Sequence, residues 1–413
     1  MRFQGLLGIV VFLVIAWLLS EKKKKVRLLA ILTGVAVQFG IAGILLYVPA
    51  FKTAFLYLNN FVLALDTATR SGAAFVFGYL AGGPAPFEIK DPANSFILTF
   101  QALPLVLVIG ALSSLFFYWK ILPIIVESFA FVLRKTLNIG GALGLGASTT
   151  IFLGMAEAPL VIKPYIKKMT RSEIFSLMTV GMACIAGTVM ILYATILNGV
   201  IPDPLGHILV ASLIHVAAAV TIARVMVPET EEETAGRFSP PRTATSAMDA
   251  IVQGTFDGLH LLLNIAAMLL VMVALVELAN MAIGLLPHAA GQPLTLQRIL
   301  GFIMSPVVWL FGIPWAQAQT AGALMGTKTI LNELLAFIEM SRLPATALDP
   351  RSRLIMTYAL TSFANFGSLG ILIGGLGSLV PERRQEVVGL GMYALVAGTL
   401  ATCMTGAVVG ILV

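Results

Sequence analysis

Charge is scarce in this chain. Asp, Glu, Lys and Arg make up only 11% of its 413 residues, well below the share in a soluble globular domain. Cysteine is scarcer still. Cys184 and Cys403 both lie in apolar runs, so neither a disulfide framework nor a zinc pattern follows. No nucleophile–base pair or metal-ligand set is spelled out, which leaves a membrane enzyme without support. A signal-peptide cleavage site is missing too. Arg2 and an apolar stretch from Leu6 to Leu19 are followed by Lys22 to Lys25, so this segment is expected to stay as a spanning helix anchored near anionic lipid. The net charge of +6 comes from basic residues gathered in particular loops, a topology signal rather than a nucleic-acid surface.

Hydrocarbon is abundant. Hydrophobic residues are 58% of the chain and mean hydropathy is +0.96. A spanning helix needs about 20 apolar residues, and about eight segments qualify. They lie near 3–20, 28–48, 96–118, 174–198, 208–227, 261–284, 354–379 and 387–412. Segments 50–65, 121–138 and 296–311 read as interfacial. The Gly- and Pro-broken stretches 139–167 and 312–343 read as re-entrant hairpins, tolerated where protein or a cavity covers their backbone. The expected fold is an all-α polytopic membrane protein. Spanning helices occupy 1–118, a first repeat 119–227, a polar linker and connecting span 228–295, and a second repeat 296–413. An odd number of crossings between the hairpins makes the repeat inverted. The linker 228–247 reads as polar and mobile. With the N-terminus outside, 17 of the 26 Lys and Arg fall inside, which favours that orientation.

Two carboxylates stand in these interrupted apolar segments. Glu157 lies in Gly154-Met155-Ala156-Glu157-Ala158-Pro159-Leu160 and Glu333 in Lys328-Thr329-Ile330-Leu331-Asn332-Glu333. Charge at bilayer depth is costly and faces a polar cavity or partner. Broken segments at matching places in two halves point to a carrier's binding site. Each candidate has a blander reading. Glu157 can serve as a structural carboxylate bonded to hairpin N–H groups. Asn365 and Ser368 alone read as interhelical glue, Phe363 as packing, and Gly140-x-x-x-Gly144 and Gly322-x-x-x-Gly326 as close-packing spacings.

Several motifs in order carry a resemblance. Ser71-Gly72-Ala73-Ala74-Phe75-Val76-Phe77-Gly78 precedes a span. Glu157-Ala158-Pro159-Leu160 and Met169-Thr170-Arg171-Ser172-Glu173 frame the first hairpin. Gly181-Met182-Ala183-Cys184-Ile185-Ala186-Gly187 interrupts one span and Phe363-Ala364-Asn365-Phe366-Gly367-Ser368 another. Together with Leu331-Asn332-Glu333, the chain resembles the concentrative nucleoside transporter family over nearly its whole length. The resemblance implies a trimeric, multi-pass inner-membrane carrier driven by a sodium or proton gradient, with no other cofactor and no nucleic-acid partner. It implies that Glu333, Asn365 and Ser368 hold the ribose hydroxyls, chemistry that suits a carboxylate and an amide. Phe363 and Val189 would flank the base.

The first hairpin departs from the family pattern. Met155 and Ala156 replace a Gln and a Thr that normally bond the base before Glu157. The implied sodium site would comprise Thr150, Leu153, Cys184 and Ile185, but Thr150 stands for Asn and Cys184 for Ser, and a thiol is a poor partner for a hard cation. A proton on Glu157 is the other candidate coupling ion. The alternative function is a nucleoside-binding membrane protein without transport, such as a sensor or assembly factor.

Overall fold

A computed structural model describes residues 2–88, 95–155, 158–236, 244–287 and 293–413. Ala156 and Glu157 lie outside the described residues. The described residues form helices joined by short loops and no extended strand, only an isolated bridge between Asn198 and Ile201. In hydrocarbon a helix satisfies its own backbone, which is why so apolar a sequence folds this way.

The N-terminal helices are α1 (Arg2–Leu18), α2 (Leu28–Tyr47), α3 (Pro49–Phe77), α4 (Leu98–Gln101) and α5 (Pro104–Tyr118). Next come α6 (Ile121–Leu137), the hairpin α7 (Gly141–Leu153) and α8 (Ala158–Ile166), the broken pair α9 (Arg171–Ala183) and α10 (Gly187–Ile196), and α11 (Pro204–Met226). After α12 (Ala247–Ile283) the same order returns. It comprises α13 (Leu296–Trp309), the hairpin α14 (Trp315–Ile330) and α15 (Glu333–Arg342), the broken pair α16 (Pro350–Leu360) and α17 (Phe366–Leu379), and α18 (Arg384–Leu412).

Six helical stretches among the described residues are long and apolar enough to cross a membrane. Two expected crossings are not among these six. The first, 3–20, is a helix of 17 residues, or about 26 Å at 1.5 Å per residue. The other, 354–379, is interrupted between α16 and α17. The segment 50–65 is part of a longer element than expected. It belongs to a 29-residue helix that runs on until Gly78, whose φ of 60° ends it. The connecting span likewise starts earlier than 261, because Ser246 accepts from the Asp249 N–H and caps a 37-residue helix.

The core lies among α9, α11 and α18, whose facing side chains are almost all buried. Helices approach closely where glycine allows it. A Cβ on Gly110 would sit 2.5 Å from the Gly254 carbonyl, and one on Gly322 2.5 Å from the Gly301 carbonyl. Gly322 and Gly326 both meet α13, and Gly144 meets Arg134, so both small-residue spacings sit at close contacts between helices.

The first part of the linker is hydrogen-bonded to the helices beneath it. The Ala142 N–H donates to the Thr234 carbonyl at 3.1 Å, the Thr234 N–H to Glu173 Oε1 at 2.9 Å, and the Thr170 hydroxyl to Glu229 Oε2 at 2.6 Å. Glu233 pairs with Arg224. Residues 228–236 are thus strapped over the starts of α7 and α9, where the open N–H groups of two helices recruit them. Linker residues 237–243 lie outside the described residues.

Candidate functional site

The second hairpin turns at Leu331 and Asn332. Asn332 caps α15 by accepting from the Leu335 N–H at 2.9 Å. That cap makes Glu333 the first residue of α15, and its side chain is 4% exposed.

The interruption between α16 and α17 supplies the main partner. Asn365 Oδ1 accepts from the Ser368 N–H at 2.8 Å and caps α17. With its oxygen committed, the amide turns its Nδ2 outward and donates to Glu333 Oε2 at 2.9 Å. The Tyr193 hydroxyl of α10 donates to Glu333 Oε1 at 2.6 Å. The Tyr193 ring packs on Phe337 with centroids 5.1 Å apart. A carboxylate accepts up to about four hydrogen bonds, so Glu333 keeps acceptor capacity beyond these two.

The two helix interruptions touch. The Phe363 N–H donates to the Cys184 carbonyl at 3.3 Å, joining residues 184–186 to residues 361–365. Four half-helix ends therefore converge beside the Glu333 hairpin. Such ends present unpaired N–H and C=O groups, the usual means of holding polar cargo at membrane depth. Val189 is buried one turn before Tyr193, and Phe363 is half-buried.

The first hairpin contributes differently. Its tip is opened by Gly154, at φ 96°, which only glycine adopts readily. Met155 is buried in a narrow seam with Thr150, Pro159, Leu177, Gly181, Leu372 and Leu376. A Cβ on Gly181 would lie 3.1 Å from that of Met155. Met155 thus fills the gap between α9 and α17, one turn beyond Ser368. No hydrogen bond links it to Glu333.

Of the four ion-site candidates, two side chains are already engaged. The Thr150 hydroxyl donates to the Gly146 carbonyl at 2.8 Å, leaving its lone pairs available. The Cys184 thiol turns away toward α11 and donates to the Ser212 carbonyl at 3.6 Å. Leu153 and Ile185 offer carbonyls only. The end of α7 abuts the start of α10, where a Cβ on Gly187 would be 2.6 Å from the Phe152 carbonyl.

Two members of the site carry no role in the sequence reading. Tyr193 lies one turn after Val189 in an apolar helix and is not singled out by the sequence. Lys328 precedes Glu333 by five residues and is fully buried. A lysine in a membrane segment was the signal available.

Known proteins are similar to this chain along its whole length. Residues 7–80 match a family model described as Na+ dependent nucleoside transporter N-terminus. Residues 99–199 match one described as nucleoside recognition, and 207–410 one described as Na+ dependent nucleoside transporter C-terminus. The nucleoside permease NupC of Helicobacter pylori is 33% identical over 415 residues, covering 99% of this chain and 97% of that one. The putative nucleoside permease NupX of Escherichia coli is 35% identical, covering 98% of each. The structure of CNTnw in an inward-facing substrate-bound state matches with a TM-score of 0.90 at 32% identity, over 100% of this chain and 98% of that chain.

Proposed function

This chain belongs to the Na+-dependent nucleoside transporter family, and we propose that it imports nucleosides across the inner membrane by reading the ribose with Glu333, Asn365 and Ser368. It is a multi-pass membrane carrier and not an enzyme. One observation carries the ribose reading. A buried carboxylate is held by Asn365 and Tyr193 where two interrupted helices meet, and it retains capacity for more donors. The hydroxyls of a sugar are donors of that kind. Phe363 and Val189 would flank the base. Glu157 and Ala156 would add to substrate binding, as the resemblance implies, and Met155 would give the base an apolar wall.

The test is uptake by Glu333→Gln, which keeps the shape and removes the charge. Nucleoside uptake is expected to be lost while expression and assembly persist, and free bases are expected not to compete. Uptake by the variant at the wild-type rate would overturn the assignment.

Ion coupling follows from the family. We infer that its sodium site is weaker than one built from Asn and Ser. Thr150 retains one oxygen, the carbonyls of Leu153 and Ile185 add two, and the Cys184 thiol is committed to Ser212. Uptake is then expected to persist in sodium-free buffer and to respond to an imposed pH gradient. Strict sodium dependence with no response to protons would contradict this. We also infer an inverted relation between the two repeats and a homotrimer, the latter tested by the mass of the detergent-solubilised particle.

A further inference from the structure

Lys328 is fully buried in the hydrocarbon-rich core, at the last turn of α14. Its Nζ donates to the Thr402 hydroxyl of α18 at 3.2 Å and, at a longer 3.4 Å, to the Ala359 carbonyl of α16. Neither acceptor carries a full charge, and a buried ammonium left with neutral partners alone is costly. Two negative features offset that cost. Ala359 lies in the last turn before the α16 interruption, the negative end of a half-helix. Glu333 lies five residues on, across the hairpin turn at the start of α15, and is likewise buried with only the neutral donors Asn365 and Tyr193 on its carboxylate.

The arrangement is reciprocal. Glu333 bonds Asn365, the cap residue at the positive start of α17. One hairpin therefore sets a cation at the negative end and an anion at the positive end of the same interrupted helix. Tyr193 of α10 is the other titratable group in direct contact with Glu333. Among the described residues no Lys, Arg or His donates a hydrogen bond to Glu333.

We propose that Lys328 is a positioning residue for nucleoside binding, the tethered counter-charge on the same hairpin that holds Glu333 in place as the acceptor for ribose hydroxyls. The proposal rests on the reading of Glu333 as that acceptor. A coupling ion enters and leaves in each cycle, whereas a lysine stays. Ribose recognition by the second hairpin is then independent of which ion occupies the first.

The experiment measures competition binding of uridine and of 2′,3′-dideoxyuridine to purified full-length protein. The quantity read is the ratio of the two affinities, since only uridine carries the hydroxyls. Glu333→Gln is expected to collapse the ratio, and a wild-type ratio there would remove the ribose reading itself. With that collapse in hand, Lys328→Met is expected to cut the ratio at least tenfold. The loss falls on uridine, with dideoxyuridine changed by less than about twofold. Lys328→Arg is expected to retain more of the ratio than Lys328→Met. A wild-type ratio in Lys328→Met beside a collapsed ratio in Glu333→Gln would overturn this proposal alone, as would equal losses for both ligands. Should Lys328→Met fail to assemble, Thr402→Val removes one anchor of the ammonium. It is expected to cut the same ratio severalfold, and an unchanged ratio there overturns the proposal.

Discussion

Glu333 is held by two side chains of unequal visibility. Asn365 belongs to a motif, but Tyr193 is a tyrosine in a run of apolar residues, and only the 2.6 Å hydrogen bond reveals its part. Tyr193→Phe keeps the ring against Phe337 and removes one donor to the carboxylate. A hydrogen bond to a charged group contributes about 1.5–3 kcal/mol. The variant is therefore expected to raise the KM for uridine about tenfold or more, with assembly intact, and an unchanged KM would show that the hydroxyl is dispensable. Met155 raises the reciprocal question. It is buried against α9 and α17, so its sulfur fills a gap that an amide would occupy with bonding capacity to spare. Restoring the family pair with Met155→Gln and Ala156→Thr is expected to sharpen discrimination among uridine, cytidine and adenosine, by about 1–3 kcal/mol if two new bonds form. An unchanged competition profile in an assembled double variant would mean that the base is read elsewhere. At this scale the motif residues point to Glu333 and Asn365, whose side chains the fold brings together, while Ser368 enters through its N–H to Asn365. Lys328 was not singled out, since its partners lie 31 and 74 residues away in sequence.

Interrupted helices and hairpins are the working elements, and caps define them. Asn332, Asn365 and Asp349 each accept from the N–H three residues on and start α15, α17 and α16. Asp349 also accepts from Gln317 of α14 at 3.0 Å, tying the second hairpin to the interrupted helix. Burial pushes the Asp349 carboxyl up. The bonds from Ser352 and Gln317 and the charge of Arg351 outweigh it, so the group lies below its ordinary value of 3.8. A depressed carboxyl contributes stability above its unfolded value and loses it as pH falls through the folded one. Asp349→Ala is expected to cost about 1 kcal/mol. Its melting temperature should fall below wild type at neutral pH, the gap closing as the solution is acidified below pH 3.8. A gap independent of pH would assign the loss to packing. The positions of the interruptions were readable from glycines and motif residues. The strap at 228–236 was not. Its Thr- and Glu-rich composition reads as a solvated linker, and only the fold brings Glu173 to meet the Thr234 N–H and hydroxyl. Thr234→Val removes the hydroxyl bond, 2.7 Å long, to a buried carboxylate. It is expected to lower stability by about 1–3 kcal/mol without changing the KM for uridine.

As a whole molecule, the chain repeats one sequence of elements twice, with the polar chemistry divided between the halves. The first half brings Tyr193, Val189 and the Cys184 carbonyl. The second brings Glu333, Lys328, Asn365 and Phe363. The site exists only where α10 meets the second hairpin and residues 184–186 meet 361–365, contacts that span up to 179 residues and that no local pattern specifies. Polytopic class and carrier function were legible in the sequence, because hydropathy and intramembrane carboxylates are strong signals. Extended helices such as α3 and α12 were not, since their polar turns read as boundaries. Concentrative uptake of labelled uridine into proteoliposomes tests the central claim most directly. An inward sodium or proton gradient is imposed, and counterflow against preloaded uridine is measured in the same vesicles. The expected result is accumulation above the external concentration that collapses with the gradient, together with exchange in counterflow. Binding of uridine with neither accumulation nor exchange would contradict the account and leave a receptor in place of a carrier.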